Sequence, residues 1–150
     1  MQVTGFVERD GSQLAFHPMQ WWLYVKFESA YLRCEAVNQW FLQLDIVERI
    51  GPQFEVEAED FCVTSIGGLS LFNSGIGYKI SAFSYLADKE CAPQNGKVKT
   101  AGFLLENGET IYFDPSANDG FRVGSKEQVF KWTSELHCPM QNFKEELWAF

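Results

Sequence analysis

Residues 103–113 read Phe-Leu-Leu-Glu-Asn-Gly-Glu-Thr-Ile-Tyr-Phe. Two apolar runs flank Glu106-Asn107-Gly108-Glu109. Asn-Gly between such runs is the strongest short-range hairpin signal, because both residues tolerate positive φ, and it favours a type I′ turn. This stretch commits the chain to antiparallel pairing, and its neighbours are read against it.

Downstream, Asp114-Pro115-Ser116 and Asn118-Asp119-Gly120 read as a loop. Ser125 and Gln128 have the spacing of a capping box. Val129, Trp132, Thr133 and Leu136 follow at helical spacing, and Pro139 ends that helix. Met140, Phe143 and Leu147 predict a second short helix running to residue 150.

Upstream, Tyr78 and Ile80 begin a strand, and residues 88–97 form a polar loop. Gly67, Gly68, Gly75 and Gly77 place turns or a bulged hairpin before that strand. Phe54-Glu-Val-Glu-Ala-Glu-Asp60 alternates strictly. As a strand it sets Phe54, Val56 and Ala58 on one face and Glu55, Glu57 and Glu59 on the other.

Residues 30–50 fit two periods. Tyr31, Cys34, Val37, Phe41 and Leu44 suit a helical face, whereas Leu42, Leu44 and Ile46 suit a strand. The helix formers in Ala30–Gln39 favour a helix passing into a strand near Leu42. Gly51-Pro52 then breaks the pattern. Nearer the start, residues 2–8 and 12–16 form a hairpin around Arg9-Asp10-Gly11-Ser12, closed by Pro18, and Trp21, Leu23, Val25 and Phe27 alternate as a strand. Strands precede helices without βαβ alternation. The expected fold class is therefore α+β, a mostly antiparallel sheet packed with a few helices, in a single domain over residues 1–150.

A chain of 150 residues buries roughly 70% of its unfolded surface and needs no disulfide or metal to hold it together. Aromatics reach 16%, with 14 Phe and 5 Trp. That excess supplies a Phe-rich core, and it also leaves rings for a surface that meets a partner. Twenty acids against twelve bases give a net charge of −8. Direct binding to nucleic acid or to an anionic membrane wants the opposite sign, so both are disfavoured. A surface of this sign steers basic partners and also keeps a protein soluble. Met1-Gln2-Val3-Thr4-Gly5 lacks the basic and apolar regions of a signal peptide. Cys34, Cys62, Cys91 and Cys138 are widely spaced, as reduced thiols of a cytoplasmic protein would be.

No catalytic constellation emerges. His17 stands before Pro18, and His137 closes a helix beside Cys138, where a protonated imidazole suits the helix dipole. Adjacent helical residues do not face each other, which makes His137 and Cys138 a poor nucleophile pair. The glycines at 67, 68, 75 and 77 have no following Lys-Ser or Lys-Thr to cradle phosphate. Scattered Cys and His offer no metal site, and no cofactor motif occurs. What remains is acidic. Glu55, Glu57 and Glu59 repel one another at about 7 Å along a strand face and must stay solvated or meet cations. The stripe suits either a solvated, aggregation-resistant sheet face or a basic partner's docking strip. Glu145 and Glu146, beside Trp148, form a second strip of the same kind.

The second half resembles the SUKH proteins, many of which are immunity proteins of bacterial toxin systems. The resemblance covers roughly residues 76–136. It rests on Tyr78-Lys79-Ile80-Ser81-Ala82-Phe83, on Phe103 leading into Asn107-Gly108, on Tyr112-Phe113-Asp114-Pro115, and on the helix carrying Val129, Phe130 and Trp132. The first half departs from the pattern, since only Gly67-Gly68 stands where Asn-Gly-Gly is expected. An acidic, aromatic-rich small chain is also similar to contact-dependent-inhibition immunity proteins. Such a likeness implies a cognate protein toxin as partner and transfers no contact residue; the charge of this chain suggests a basic nuclease, and its own acidic strips, Glu55, Glu57 and Glu59 with Glu145, Glu146 and Trp148, are the candidate contacts that would occlude it. Two other classes stay open: a phage-type acidic inhibitor of a host nucleic-acid-binding defence enzyme, and a small enzyme.

Overall fold

The computed structural model describes residues 2–10, 13–38, 40–52, 54, 55, 57, 61–65, 79–117, 120–135 and 144–149. Among them are eleven strands and one α-helix. The strands are β1 (Gln2–Asp10), β2 (Gln13–Lys26), β3 (Tyr31–Val37), β4 (Phe41–Val47), β5 (Phe61–Ser65), β6 (Ile80–Ala87), β7 (Lys97–Val98), β8 (Thr100–Leu105), β9 (Thr110–Ala117), β10 (Gly120–Gly124) and β11 (Lys144–Ala149). The helix, α1, spans Lys126–Glu135.

The strands form two antiparallel sheets, ordered β5-β1-β2-β3-β4-β7 and β10-β9-β8-β6-β11. Antiparallel sheets are as expected. The helical share is not: the described chain is mostly β, with one ten-residue helix, rather than an even α+β mixture. Side chains from both sheets meet in one core. Leu23, Leu32, Cys34 and Leu42 face Tyr85, Ala101, Phe103, Leu105 and Phe113. Ring contacts knit the second layer, with Phe103 set edge-on 5.9 Å from Phe113 and tilted 5.5 Å from Phe83 between centroids. Helix α1 covers the opposite face of the second sheet, where Val129 is buried and Phe130 meets Tyr112 edge-on.

The 103–113 hairpin forms as expected, with Phe103 opposite Ile111. Its turn is not type I′. Gly108 has φ 86 while Asn107 keeps negative φ, and the Gly108 amide donates to the Leu105 carbonyl at 2.9 Å. Type I′ needs positive φ at both central residues. The capping box is complete: the Gln128 amide donates to Ser125 Oγ, and the Ser125 amide to Gln128 Oε1.

Residues 31–37 and 41–47 are two strands, not a helix leading into one. Period 2 prevails because β2 offers Tyr31–Glu35 a full ladder, which buries Leu32 and Cys34 together. The turn between them holds Asn38 at φ 53, which no α-helix passes through. Pro18 does not end a strand. It lies within β2 opposite Gly5, beside a register shift between Val3 and Gly5, where a missing amide is tolerated. The expected last helix is also a strand at Lys144–Ala149, paired along the edge of β6. Good helix formers are overridden there by the hydrogen bonds of an open sheet edge. Tyr78, Met140, Phe143, the turn at Gly11-Ser12 and the glycine-rich stretch at 66–77 lie outside the described residues.

Candidate functional site

Strands β4 and β11 lie on the same side of the sandwich, and a groove of about 640 Å³ opens between them. Leu32, Leu44 and Ile46 line it from the first sheet, Phe83 and Tyr85 from β6, and Glu146 and Trp148 from β11. The turn at Pro93–Asn95 and the following Gly96 complete the rim.

Each wall has a local cause. Opposite residues of an antiparallel pair share a face. Trp148 stands opposite Phe83 and Glu146 opposite Tyr85, so all four look toward the first sheet. Glu145 and Leu147, one residue out of phase, take the other face. On β4, Leu44 and Ile46 continue the inward phase of Leu42, but β7 pairs only with Leu42 and Gln43. Ile46 is thus left 70% exposed and Trp148 61% exposed at the groove mouth. The rim turn is pinned to β4, with the Leu44 amide donating to the Gly96 carbonyl at 3.0 Å and Gln43 Nε2 to the Asn95 carbonyl at 2.7 Å. Gly96 has φ 78, and a Cβ there would lie 2.2 Å from the Leu44 carbonyl oxygen. Glycine is what lets the turn sit this close.

The groove is electrostatically one-sided. Its charged side chain is the acid Glu146, whereas Asp45, one residue out of phase with Leu44 and Ile46, turns its carboxylate to the outer face. Arg33 Nη2 holds Asp45 Oδ2 at 2.7 Å from outside the groove. Glu146 accepts from the Tyr85 hydroxyl and from Lys144 Nζ. Those bonds hold the Glu146 carboxyl below its usual range, Lys144 contributing most and Tyr85 next. The Tyr85 hydroxyl is pushed up to about 12 by its bond to Glu146 and by burial.

Glu145 works on the opposite face. Tyr112 donates its hydroxyl to Ser84 Oγ at 2.6 Å, and Ser84 donates to Glu145 Oε1 at 2.9 Å. Lys126 of α1 closes the set with an ion pair to the same oxygen. Burial pushes Glu145 up, but the Lys126 and Ser84 bonds outweigh it and hold the carboxyl low. Strand β11 is therefore fastened on both faces by adjacent carboxylates. Glu145 is a structural tie to the helix, while Glu146 and Trp148 belong to the groove.

The acidic strip at 55–59 does not form a strand face. Glu55 and Glu57 are exposed but lie outside any strand, and Glu59 lies outside the described residues. After Gly51-Pro52 the chain leaves β4 for the outer face of the first sheet, where the Tyr24 hydroxyl donates to the Gly51 carbonyl at 3.0 Å. Alternation without a partner strand makes no sheet face. Among the described residues, Cys34, Cys62 and Cys91 are free thiols, and no three His, Cys, Asp or Glu side chains cluster as a metal site. Burial pushes the Cys34 thiol well up, which makes it an inert core residue. His137 and Cys138 lie outside the described residues, as does the side chain of His17.

Sequence reasoning found Glu146 and Trp148 but missed Ile46, Phe83 and Tyr85. The period-2 run Leu42, Leu44, Ile46 was visible, yet nothing in one sequence places it beside residues about a hundred positions later. The fold and the site define a class: an antiparallel β-sandwich with an acidic, aromatic-walled groove at the open side of its two sheets. Compared with protein-family models, with curated proteins and with solved structures, the chain matches none. Among the described residues no helix is long and apolar enough to cross a membrane.

Proposed function

We propose that this chain is a binding module that captures a basic protein at the groove between β4 and β11. One observation carries the reading: Ile46 and Trp148 stand exposed at the mouth of an apolar groove whose charged side chain is the acid Glu146. A large ring at a pocket rim is the commonest anchor of a protein interface. A net charge of −8 speeds encounter with a cationic partner. A toxin domain that grips nucleic acid presents such a surface. The finer reading is thus an immunity protein that neutralises a basic nuclease toxin by covering its active site. In cells expressing a cognate basic nuclease toxin domain, co-expression of the chain should restore growth, and Trp148→Ser should abolish the rescue. Failure to rescue removes the toxin from the reading, whereas rescue unchanged by Trp148→Ser removes the groove.

A further inference from the structure

We infer that the groove is a receptor for an arginine side chain of the protein partner, inserted between Trp148 and Ile46. This rests on the reading of the groove as the binding surface. Three features of the lining select the ligand. Leu32, Leu44 and Ile46 form an aliphatic wall suited to the methylene stem of a long side chain. Trp148 and Tyr85 supply ring surface on which a planar, weakly hydrated guanidinium stacks. Glu146 supplies the charge, with no cation among the described lining residues.

The acceptors have capacity left. On Glu146, Tyr85 occupies one site of Oε2 and Lys144 one site of Oε1, which leaves a lone pair on each oxygen for a forked donor. Glu146 is shared with Lys144, whose side chain is 76% exposed. An exposed pair of this kind is worth little, so an incoming guanidinium displaces Lys144 easily. An ammonium would meet the same charge but lacks the flat face and the fork. A neutral apolar side chain would offer Glu146 no donor.

The probe is the peptide acetyl-Leu-Arg-Leu-amide, titrated into the full chain and followed through the Trp148 indole resonance, assigned by its absence in Trp148→Phe. The expected result is saturable binding with half-saturation below about 1 mM. The citrulline peptide, which keeps the shape and lacks the charge, should bind at least about tenfold more weakly. Lys144→Ala should tighten arginine binding about twofold, by removing the competitor for Glu146. Equal binding of the citrulline peptide, or no shift of the Trp148 indole at several millimolar (about the weakest affinity of interest), overturns the assignment. So does a dimer in sedimentation whose Trp148 indole is already shielded, since the groove would then hold a second copy. A protein partner that depends on Trp148 while the two peptides bind alike refutes arginine and leaves the groove standing. A partner indifferent to Trp148 refutes both.

Discussion

The Tyr85 hydroxyl donates to the carboxylate of Glu146, and this bond ties the floor of the groove to the strand that carries its exposed tryptophan. Tyr85 is a buried core residue of β6, whereas Glu146 stands in an edge strand whose other residues are exposed. The position of Trp148 is therefore set by a contact two residues away. Adjacent Glu145 makes the corresponding tie on the other face.

Replacing Tyr85 with Phe keeps the ring and removes the donor. The bond to the Glu146 carboxylate is lost, and the change should be felt chiefly in β11. Amide exchange of residues 144–149 should accelerate while that of β8 and β9 stays slow. Uniform acceleration across both sheets would show that Tyr85 acts as core packing only.

The pH dependence of the β11 attachment follows from the signs of its groups. Glu145 and Glu146 are held below the ordinary carboxylate value of 4.5, so their contribution is full above that value and is lost as pH falls through the lower, folded-state range. Tyr85 is raised from 10.0 to about 12. Its contribution is full below pH 10 and is lost as pH rises through about 12. Lys126 is also raised: burial alone would lower it, but the bond to Glu145 prevails, and its contribution likewise fades at high pH. The attachment should be firmest between the two limits. Trp148 emission against pH should stay flat from about 5 to 10 and change outside that window. A step near neutrality would contradict the assignment.

Gly96→Ala should be costly for its size. The new methyl would sit 2.2 Å from the Leu44 carbonyl oxygen at a φ of 78. Strain and overlap together should lower stability by about 2 kcal/mol or more. Urea denaturation measures it. A loss under about 0.5 kcal/mol would mean the 93–96 turn moves freely, and the rim would not be a fixed wall.

Ser125→Ala removes one arm of the capping box and exposes the Gln128 amide. The expected loss is about 1 kcal/mol, with Ser125→Gly losing only a few tenths. Equal losses for both variants in chemical denaturation would indicate that Ser125 Oγ does not cap α1.

Local chemistry was legible where a single segment carries its own instruction. The 103–113 hairpin reads from two apolar runs around Asn107-Gly108, and α1 reads from Ser125 and Gln128. Even there the turn type differed from the expected one: Gly108 takes positive φ, and Asn107 does not. Residues 31–37 and 144–149 were misread because their apolar spacing fits two periods, whereas the strand from near Leu42 formed as expected. Cys34 and Leu44 suit a helix as well as a strand until β2 and β4 are seen beside β3. Glu55 and Glu57 fail for the converse reason, since alternation was present but no ladder received it.

The sequence by itself determined the antiparallel habit, the one capped helix, the free thiols at Cys34, Cys62 and Cys91, and the acidic charge, because each depends on composition or on residues a few positions apart. Only the tertiary structure decided that β11 is a strand, that Glu145 and Glu146 serve opposite faces, and that Ile46 meets Trp148 across a groove. Those outcomes depend on which sheet edge is left unpaired. An open edge is a property of the assembled ladders, and no single segment encodes it.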